Sequence, residues 1–290
     1  MNKELEQELI DKVKKDPFSL KNIKDQTEAI CLAAVKENAN VLCWVKDQTE
    51  SICLEAFKQE GLTLKYVKYQ SKKICLEAIK NNPYAIQYVK NQTEEMCLEA
   101  IKRNIMSLEY IKHKSNRVCL EAVKRSGYAL RYINVKDQTE EICLEAIKCN
   151  GIYLNQVKNQ TKSICLAAVK QDGNLLRFVK DQSEDICLEA VKQDRLALEY
   201  VKHKTDKVVA EALKRNFDAI YFVNINLRNN ALLVLNASLQ HKNKDKVVLT
   251  RIIERFNEDK EFVDFYTKHK LWNYVDFTKV KNLNEYSMVL

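Results

Sequence analysis

Apolar positions along most of this chain fall into two alternating blocks, a longer one and a shorter one. In the longer block around residues 93–103, Met96, Cys97, Leu98, Ala100 and Ile101 are apolar, and Glu99, Lys102 and Arg103 form a narrow polar stripe. At 100° per residue this pattern predicts a helix of about ten residues held between neighbours. The shorter block carries Leu, any residue, an aromatic, then Val or Ile, as in Leu130, Tyr132 and Ile133 or Leu198, Tyr200 and Val201. It predicts a short second helix of about seven residues, since residues three apart share one helical face.

The blocks recur with a fixed period. The cysteine of TEEICLEAIK reappears at Cys31, Cys53, Cys75, Cys97, Cys119, Cys143, Cys165 and Cys187, with steps of 22 residues except for 24 between Cys119 and Cys143. Such a period is the signature of a stacked array. Leu9 and Val209 hold the cysteine position in degenerate end units, which gives ten units over residues 1–224. The fold class expected is all-α: an α-solenoid of ten 22-residue helix pairs, with residues 225–290 as a helical cap and tail. The tail, with Trp272, Tyr274, Phe277 and Leu290, either closes the stack or docks a partner.

Local signals agree with that frame. Thr27, Thr49, Ser71, Thr93, Ser115, Thr139, Thr161, Ser183 and Thr205 stand four residues before the cysteine position, where a hydroxyl caps the first helix. Acidic pairs such as Glu94-Glu95 follow the cap and suit the positive end of the helix dipole. Asn150-Gly151 and Asp172-Gly173 are expected to end their helices in a left-handed conformation. The two-residue excess at Asn134-Val135 predicts a local bend or bulge.

Composition changes this picture little. Hydrophobic residues make up 46% and charged residues 30%, with four Gly and two Pro, as suits a folded, mostly helical chain. The net charge of +8 is a mild excess, short of a dedicated nucleic-acid protein. No leader-like apolar segment and no run long enough to span a membrane is present, so an intracellular protein is expected. Ten cysteines raise the question of disulfides or metal. Equivalent positions in stacked helices lie about 8–10 Å apart, beyond the roughly 7 Å a disulfide spans. Free buried thiols are therefore expected, and no cofactor.

Two lysine rows run through the repeats. Lys14, Lys36, Lys58, Lys80, Lys102, Lys124, Lys148, Lys170, Lys192 and Lys214 form the first, and Lys24, Lys46, Lys68, Lys90, Lys112, Lys158, Lys180 and Lys202 the second. Lys36, Lys58, Lys80, Lys102, Lys124, Lys148, Lys170 and Lys192 are the candidate polyanion contacts. Glutamates three residues earlier in seven units, from Glu55 to Glu211, are expected to neutralise them. The aromatic row (Trp44, Tyr66, Tyr88, Tyr110, Tyr132, Phe178, Tyr200, Phe222) reads as inter-helix core, interrupted by Asn22 and Gln156. The four histidines, His113, His203, His241 and His269, read as surface residues, and no phosphate loop, HExxH, CxxC or nucleophile elbow occurs. No enzyme is expected. The residue before each aromatic varies most: Lys65, Gln87, Glu109, Arg131, Asn155, Arg177 and Glu199 are the candidate partner-binding row.

The consensus LEAVKxNGxALxYVKxQTxEIC, as carried by residues 144–160 and 188–204, resembles a short helical repeat family catalogued as domain of unknown function 4116. That resemblance implies a setting in giant viruses of amoebae or amoeba-associated bacteria, with location in host cytoplasm or virion, and brings no activity or site residues. The function expected is a non-enzymatic scaffold for protein–protein interaction, as a virus structural or factory component. The alternatives are a nucleic-acid-binding array using the lysine rows and a host-targeting effector adaptor.

Overall fold

The computed structural model describes residues 2–241, 245–256 and 258–274, and no strand occurs among them. Helices α1 (Lys3–Lys15), α2 (Glu28–Glu37), α3 (Glu50–Gln59), α4 (Lys72–Asn81), α5 (Glu94–Arg103), α6 (Asn116–Arg125) and α7 (Glu140–Cys149) lie in one compact unit, Met1–Cys149. Helices α8 (Lys162–Gln171), α9 (Glu184–Gln193), α10 (Asp206–Arg215), α11 (Arg228–Gln240), α12 (Lys246–Phe256) and α13 (Lys260–Lys268) lie in a second, Asn150–Leu290. Within each unit, consecutive α-helices pack together through α6–α7 and α8–α11.

The second segment of each repeat is a six-residue 3-10 helix, such as Gly61–Tyr66 or Pro83–Tyr88, rather than a longer α-helix. One polar residue makes this possible by ending one helix and starting the next. The Asn82 amide donates to Ala78 O at 2.9 Å, closing α4, while its side-chain oxygen accepts from Tyr84 N at 3.1 Å, opening the 3-10 turn. Asn38, Asn104, Asp172 and Asp194 act in the same way, and Asn150 opens its 3-10 turn likewise by accepting from Ile152 N at 2.9 Å. With three residues per turn, Leu64 and Val67 fall on one side and are buried, as are Leu108 and Ile111.

From α2 to α9 each α-helix then contributes an apolar residue, Cys, Ala and a second apolar residue to the core, as Met96, Cys97, Ala100 and Ile101 do in α5. The leucine after the cysteine is only half-buried, so the apolar face is narrower than the projection suggests. The expected caps form: Thr49 Oγ1 accepts from Ile52 N at 3.4 Å, and Thr27, Ser71, Thr93, Ser115, Thr139, Thr161 and Thr205 match it. Ser183 occupies the cap position without making the bond.

The glycine expectation is corrected. No glycine has positive φ, and Asn150 and Asp172 are extended, at φ −166° and −152°. Glycine is needed for close approach instead: a Cβ on Gly173 would sit 2.3 Å from Ala190 O of the next repeat.

A glutamine five residues before the cysteine joins consecutive repeats. Gln48 Nε2 donates to Leu42 O in its own repeat at 3.1 Å and to Tyr66 O in the next at 3.0 Å, while its Oε1 accepts from Lys68 N at 2.9 Å. Gln26 and Gln92 repeat the arrangement in the first unit, and Gln160 and Gln182 in the second. At His113-Lys114 and His203-Lys204 lysine takes the glutamine's place and turns back to its own repeat, Lys114 Nζ to Ile111 O at 2.8 Å and Lys204 Nζ to Val201 O at 3.0 Å. In both cases the lysine slot of the following repeat is asparagine, Asn134 or Asn224. After Asn134 the two extra residues are taken up in a separate 3-10 turn, Val135–Asp137.

After Phe222 the helix pairs give way to α11–α13. Arg228 of α11 holds Asp259 at 2.8 Å and also Glu261, tying α11 to the start of α13. Tyr274 is exposed; Phe277, Leu290 and the side chain of Trp272 lie outside the described residues.

Candidate interaction surface

Two faces of the repeats are open to partners, one formed by the α-helices and one by the 3-10 segments. On the α face the first lysine row is paired as expected at Lys58–Glu55 (2.7 Å), Lys80–Glu77 (2.6 Å) and Lys148–Glu145 (2.9 Å). In α5, α6 and α10 the arginine one residue further on takes the glutamate instead, at Arg103–Glu99 (2.6 Å), Arg125–Glu121 (3.5 Å) and Arg215–Glu211 (2.8 Å). The i,i+4 spacing and the forked guanidinium favour that choice. Lys102 and Lys124 are thereby left exposed, and Lys36 and Lys170 have alanine, Ala33 and Ala167, where the acid would stand. Lys192 is exposed too, with Glu189 accepting from Gln193 at 3.5 Å.

The acids of the first helical turn work between repeats. Thr49 Oγ1 donates to Glu28 Oε1 at 2.6 Å, Ser115 Oγ to Glu94 Oε2 at 2.6 Å, and Thr205 Oγ1 to Glu184 Oε1 at 2.7 Å. Lys73 pairs with Glu50, and Arg117 with Glu94 at 3.1 Å, each one repeat back. A groove over Leu76 and Leu98 is walled by Glu94, Glu99, Arg117 and Glu121, all engaged in pairs with neighbouring side chains.

The second lysine row is committed to backbone. Lys46 Nζ donates to Lys24 O at 2.6 Å, Lys68 Nζ to Lys46 O at 2.7 Å, Lys90 Nζ to Lys68 O at 2.8 Å, and Lys202 Nζ to Lys180 O at 2.6 Å. Each of these ammonium groups reaches a carbonyl just beyond the preceding 3-10 turn, so the row links repeats as a chain of charge-assisted bonds.

On the 3-10 face the aromatic row is not core. Trp44, Tyr66, Tyr88 and Tyr132 are half-buried and Tyr110 is 38% exposed, since this position stands a third of a turn around from the buried Leu and Val. Three of the rings lie against a residue of the preceding repeat: Phe18–Trp44 and Tyr84–Tyr110 meet edge-on at 5.7 and 5.8 Å, and Tyr132 Oη lies 3.4 Å from Met106 Sδ. Beside this stripe stand the variable residues. Lys65, Glu109 and Arg131 in the first unit and Asn155, Arg177 and Glu199 in the second are exposed; Gln87 is half-buried and donates to Tyr84 O at 3.0 Å. Lys65 lies 4.7 Å above the Tyr66 ring and Arg177 4.8 Å above Phe178, and Arg131 donates to Tyr128 Oη at 3.0 Å. Among the described residues Lys65, Glu109, Arg131, Arg177 and Glu199 take part in no ion pair.

The cysteines of the repeat position are buried and free. Burial pushes the thiols of Cys31, Cys53, Cys97, Cys119 and Cys143 up to about 11. Cys31, Cys75, Cys165 and Cys187 point their thiols at the Oε1 of the linking glutamine, at 3.8–3.9 Å. Among the described residues no group of three or more His, Cys, Asp or Glu converges as metal ligands do, and no helix is long and apolar enough to cross a membrane.

The family described as a domain of unknown function (DUF4116) matches residues 49–93, 71–115, 93–138, 139–182 and 161–204. The chain belongs to the DUF4116 family. Each DUF4116 match spans two consecutive repeats; successive matches slide by one repeat within residues 49–138 and again within 139–204, and the two groups meet at residues 138 and 139, directly after the extra turn. No curated protein and no solved structure matches the chain. Sequence reasoning did not assign the DUF4116 glutamine its role, although its fixed place before the capping hydroxyl was visible.

Proposed function

We propose that this chain is a non-enzymatic scaffold that binds a protein partner through the 3-10 face. The observation that carries the reading is the contrast between the two faces. The carboxylates along the α face are largely spent in pairs within and between repeats, whereas Lys65, Glu109 and Arg131 beside the tyrosine stripe carry charges of both signs that take part in no ion pair among the described residues. Changing side chains on a constant frame, flanked by tyrosines, have the composition of a protein-recognition surface. The setting implied by the resemblance would make the partner a viral or host protein.

The rival, a polyanion-binding array, draws support from Lys36, Lys102, Lys124, Lys170 and Lys192, which are exposed without a carboxylate partner among the described residues. It is weakened by the second row, whose ammonium groups are held by carbonyls. Gel-shift titration over a salt series separates the two. The scaffold reading expects only weak binding to nucleic acid, unchanged by Lys102→Ala with Lys124→Ala. Tight binding that falls steeply with salt and is lost in that variant would refute it.

A further inference from the structure

The partner-binding reading can be taken to a chemical class. We infer that the stripe formed by Tyr66, Tyr88, Tyr110 and Tyr132 takes a proline-rich segment in the polyproline II conformation, running along the stack, with a set order of charges. This inference rests on the scaffold reading above and deepens it.

Three observations carry it. The first is period. Consecutive 3-10 segments pack side by side from Gly61–Tyr66 to Gly127–Tyr132, so the stripe offers one ring per repeat. Packed helices of this kind lie about 8–10 Å apart. A polyproline II helix advances about 9.3 Å per turn of three residues, and every third residue returns to the same face. An extended strand advances about as far in three residues, but its side chains alternate, so its third residue points away. Of these two extended geometries, polyproline II is the one that presents one residue per ring on one face over several repeats.

The second is hydrogen bonding. A polyproline II segment leaves its carbonyls unsatisfied, and the stripe is rich in donors. The hydroxyls of Tyr88 and Tyr110 have no hydrogen-bond partner among the described residues, and Arg131 is exposed. An α-helical partner has its carbonyls internally bonded and would leave those hydroxyls unused.

The third is charge. Over four successive repeats the residue beside the ring is Lys65, Gln87, Glu109 and Arg131. Lys65, Glu109 and Arg131 are unpaired, so a bound segment at one residue in three would place acid, neutral polar, base and acid in that order. The matching segment is Glu-Pro-Pro-Gln-Pro-Pro-Lys-Pro-Pro-Glu or its reverse, according to the direction of binding.

The test uses the full chain and fluorescently labelled synthetic peptides in an anisotropy titration. The probes are that peptide, its reverse, the peptide with acids and base exchanged, and one with glycine in place of every proline. The expected result is saturable binding of the first or the second, weakened at least about tenfold by charge exchange and by glycine. Tyr88→Ala and Tyr110→Ala should weaken binding, and the triple variant Lys65→Glu, Glu109→Lys, Arg131→Glu should prefer the charge-exchanged peptide. Circular dichroism establishes that each variant folds. Equal binding of all four peptides, or none, overturns the inference. Crosslinking in producing cells then separates the two levels. A protein partner lost in the triple variant but not displaced by the proline peptide overturns the peptide class and leaves the scaffold reading. Absence of any partner dependent on the stripe overturns both.

Discussion

Replacing Gln48 by alanine should loosen the junction between the repeats of α2 and α3 more than any other single exposed-edge change. The side chain makes three bonds, to Leu42 O (3.1 Å), Tyr66 O (3.0 Å) and Lys68 N (2.9 Å), and two of these cross to the next repeat. A net contribution of about 0.5–1.5 kcal/mol per bond gives a range of about 1.5–4.5 kcal/mol. Lys68 is exposed, so water can take over part of the lost bonding, and about 2–3 kcal/mol is the working figure. Global unfolding is a poor readout for a stacked array, because stability is a sum of repeat and interface terms. Native-state hydrogen exchange at the Lys68 amide reports the junction itself. A loss of about 2 kcal/mol accelerates exchange there by about thirtyfold. Gln87→Ala, which removes one bond to its own repeat (Tyr84 O, 3.0 Å), is the comparison and should leave Lys68 exchange unchanged. If Gln48→Ala exchanged at the rate of the unaltered chain, or no faster than Gln87→Ala, the linking role of the glutamine would be wrong.

Two further outcomes follow from the packing. The thiols of Cys53 and Cys97 rise from an ordinary value of 9.0 to about 11 in the fold, so the unfolded chain loses these protons first. Their contribution is complete below about pH 9 and is lost as pH rises towards 11; urea titrations at pH 8 and 10.5 should show that decline, less steeply in Cys53→Ala with Cys97→Ala. Gly173→Ala places a methyl 2.3 Å from Ala190 O and should destabilise by about 1–3 kcal/mol in chemical denaturation, and an unchanged midpoint would show that the α9 backbone yields freely.

Much of the frame was legible because it is written in local spacing. The capping hydroxyls, the Ile-Cys-x-x-Ala-Val core positions and the break at Asn134 each follow from residues within one or two turns of each other. The 3-10 conformation was not legible, since the three-residue step from Leu64 to Val67 satisfies an α-helix and a 3-10 helix alike. The aromatic row was misjudged for a separate reason: in either kind of helix Tyr66 stands more than a quarter-turn from the buried side of Leu64 and Val67, so an apolar ring in the pattern did not mean a core ring. The glutamine link was hidden for another reason: its partners lie 18 and 20 residues away, beyond any local pattern. The pairing of Glu99 and Glu121 with arginine rather than lysine was open as well, because two cations at adjacent positions compete for each acid and only geometry decides.

The linking glutamine also bears on how such a gene changes length. Between Gln26 and Gln92 every junction presents the same connectors, a glutamine on one side and a lysine amide on the other. Unequal recombination that adds or drops one 22-residue copy inside that run rejoins compatible ends and leaves a foldable product. At His113-Lys114 or His203-Lys204 the connectors differ, and a crossover there sets a lysine side chain opposite another lysine in place of the asparagine, Asn134 or Asn224, that follows it now. Copy number is therefore free to drift within a run but not across its end. Since the charges beside the tyrosines are carried one per copy, each gain or loss would also shift the order in which a ligand reads them.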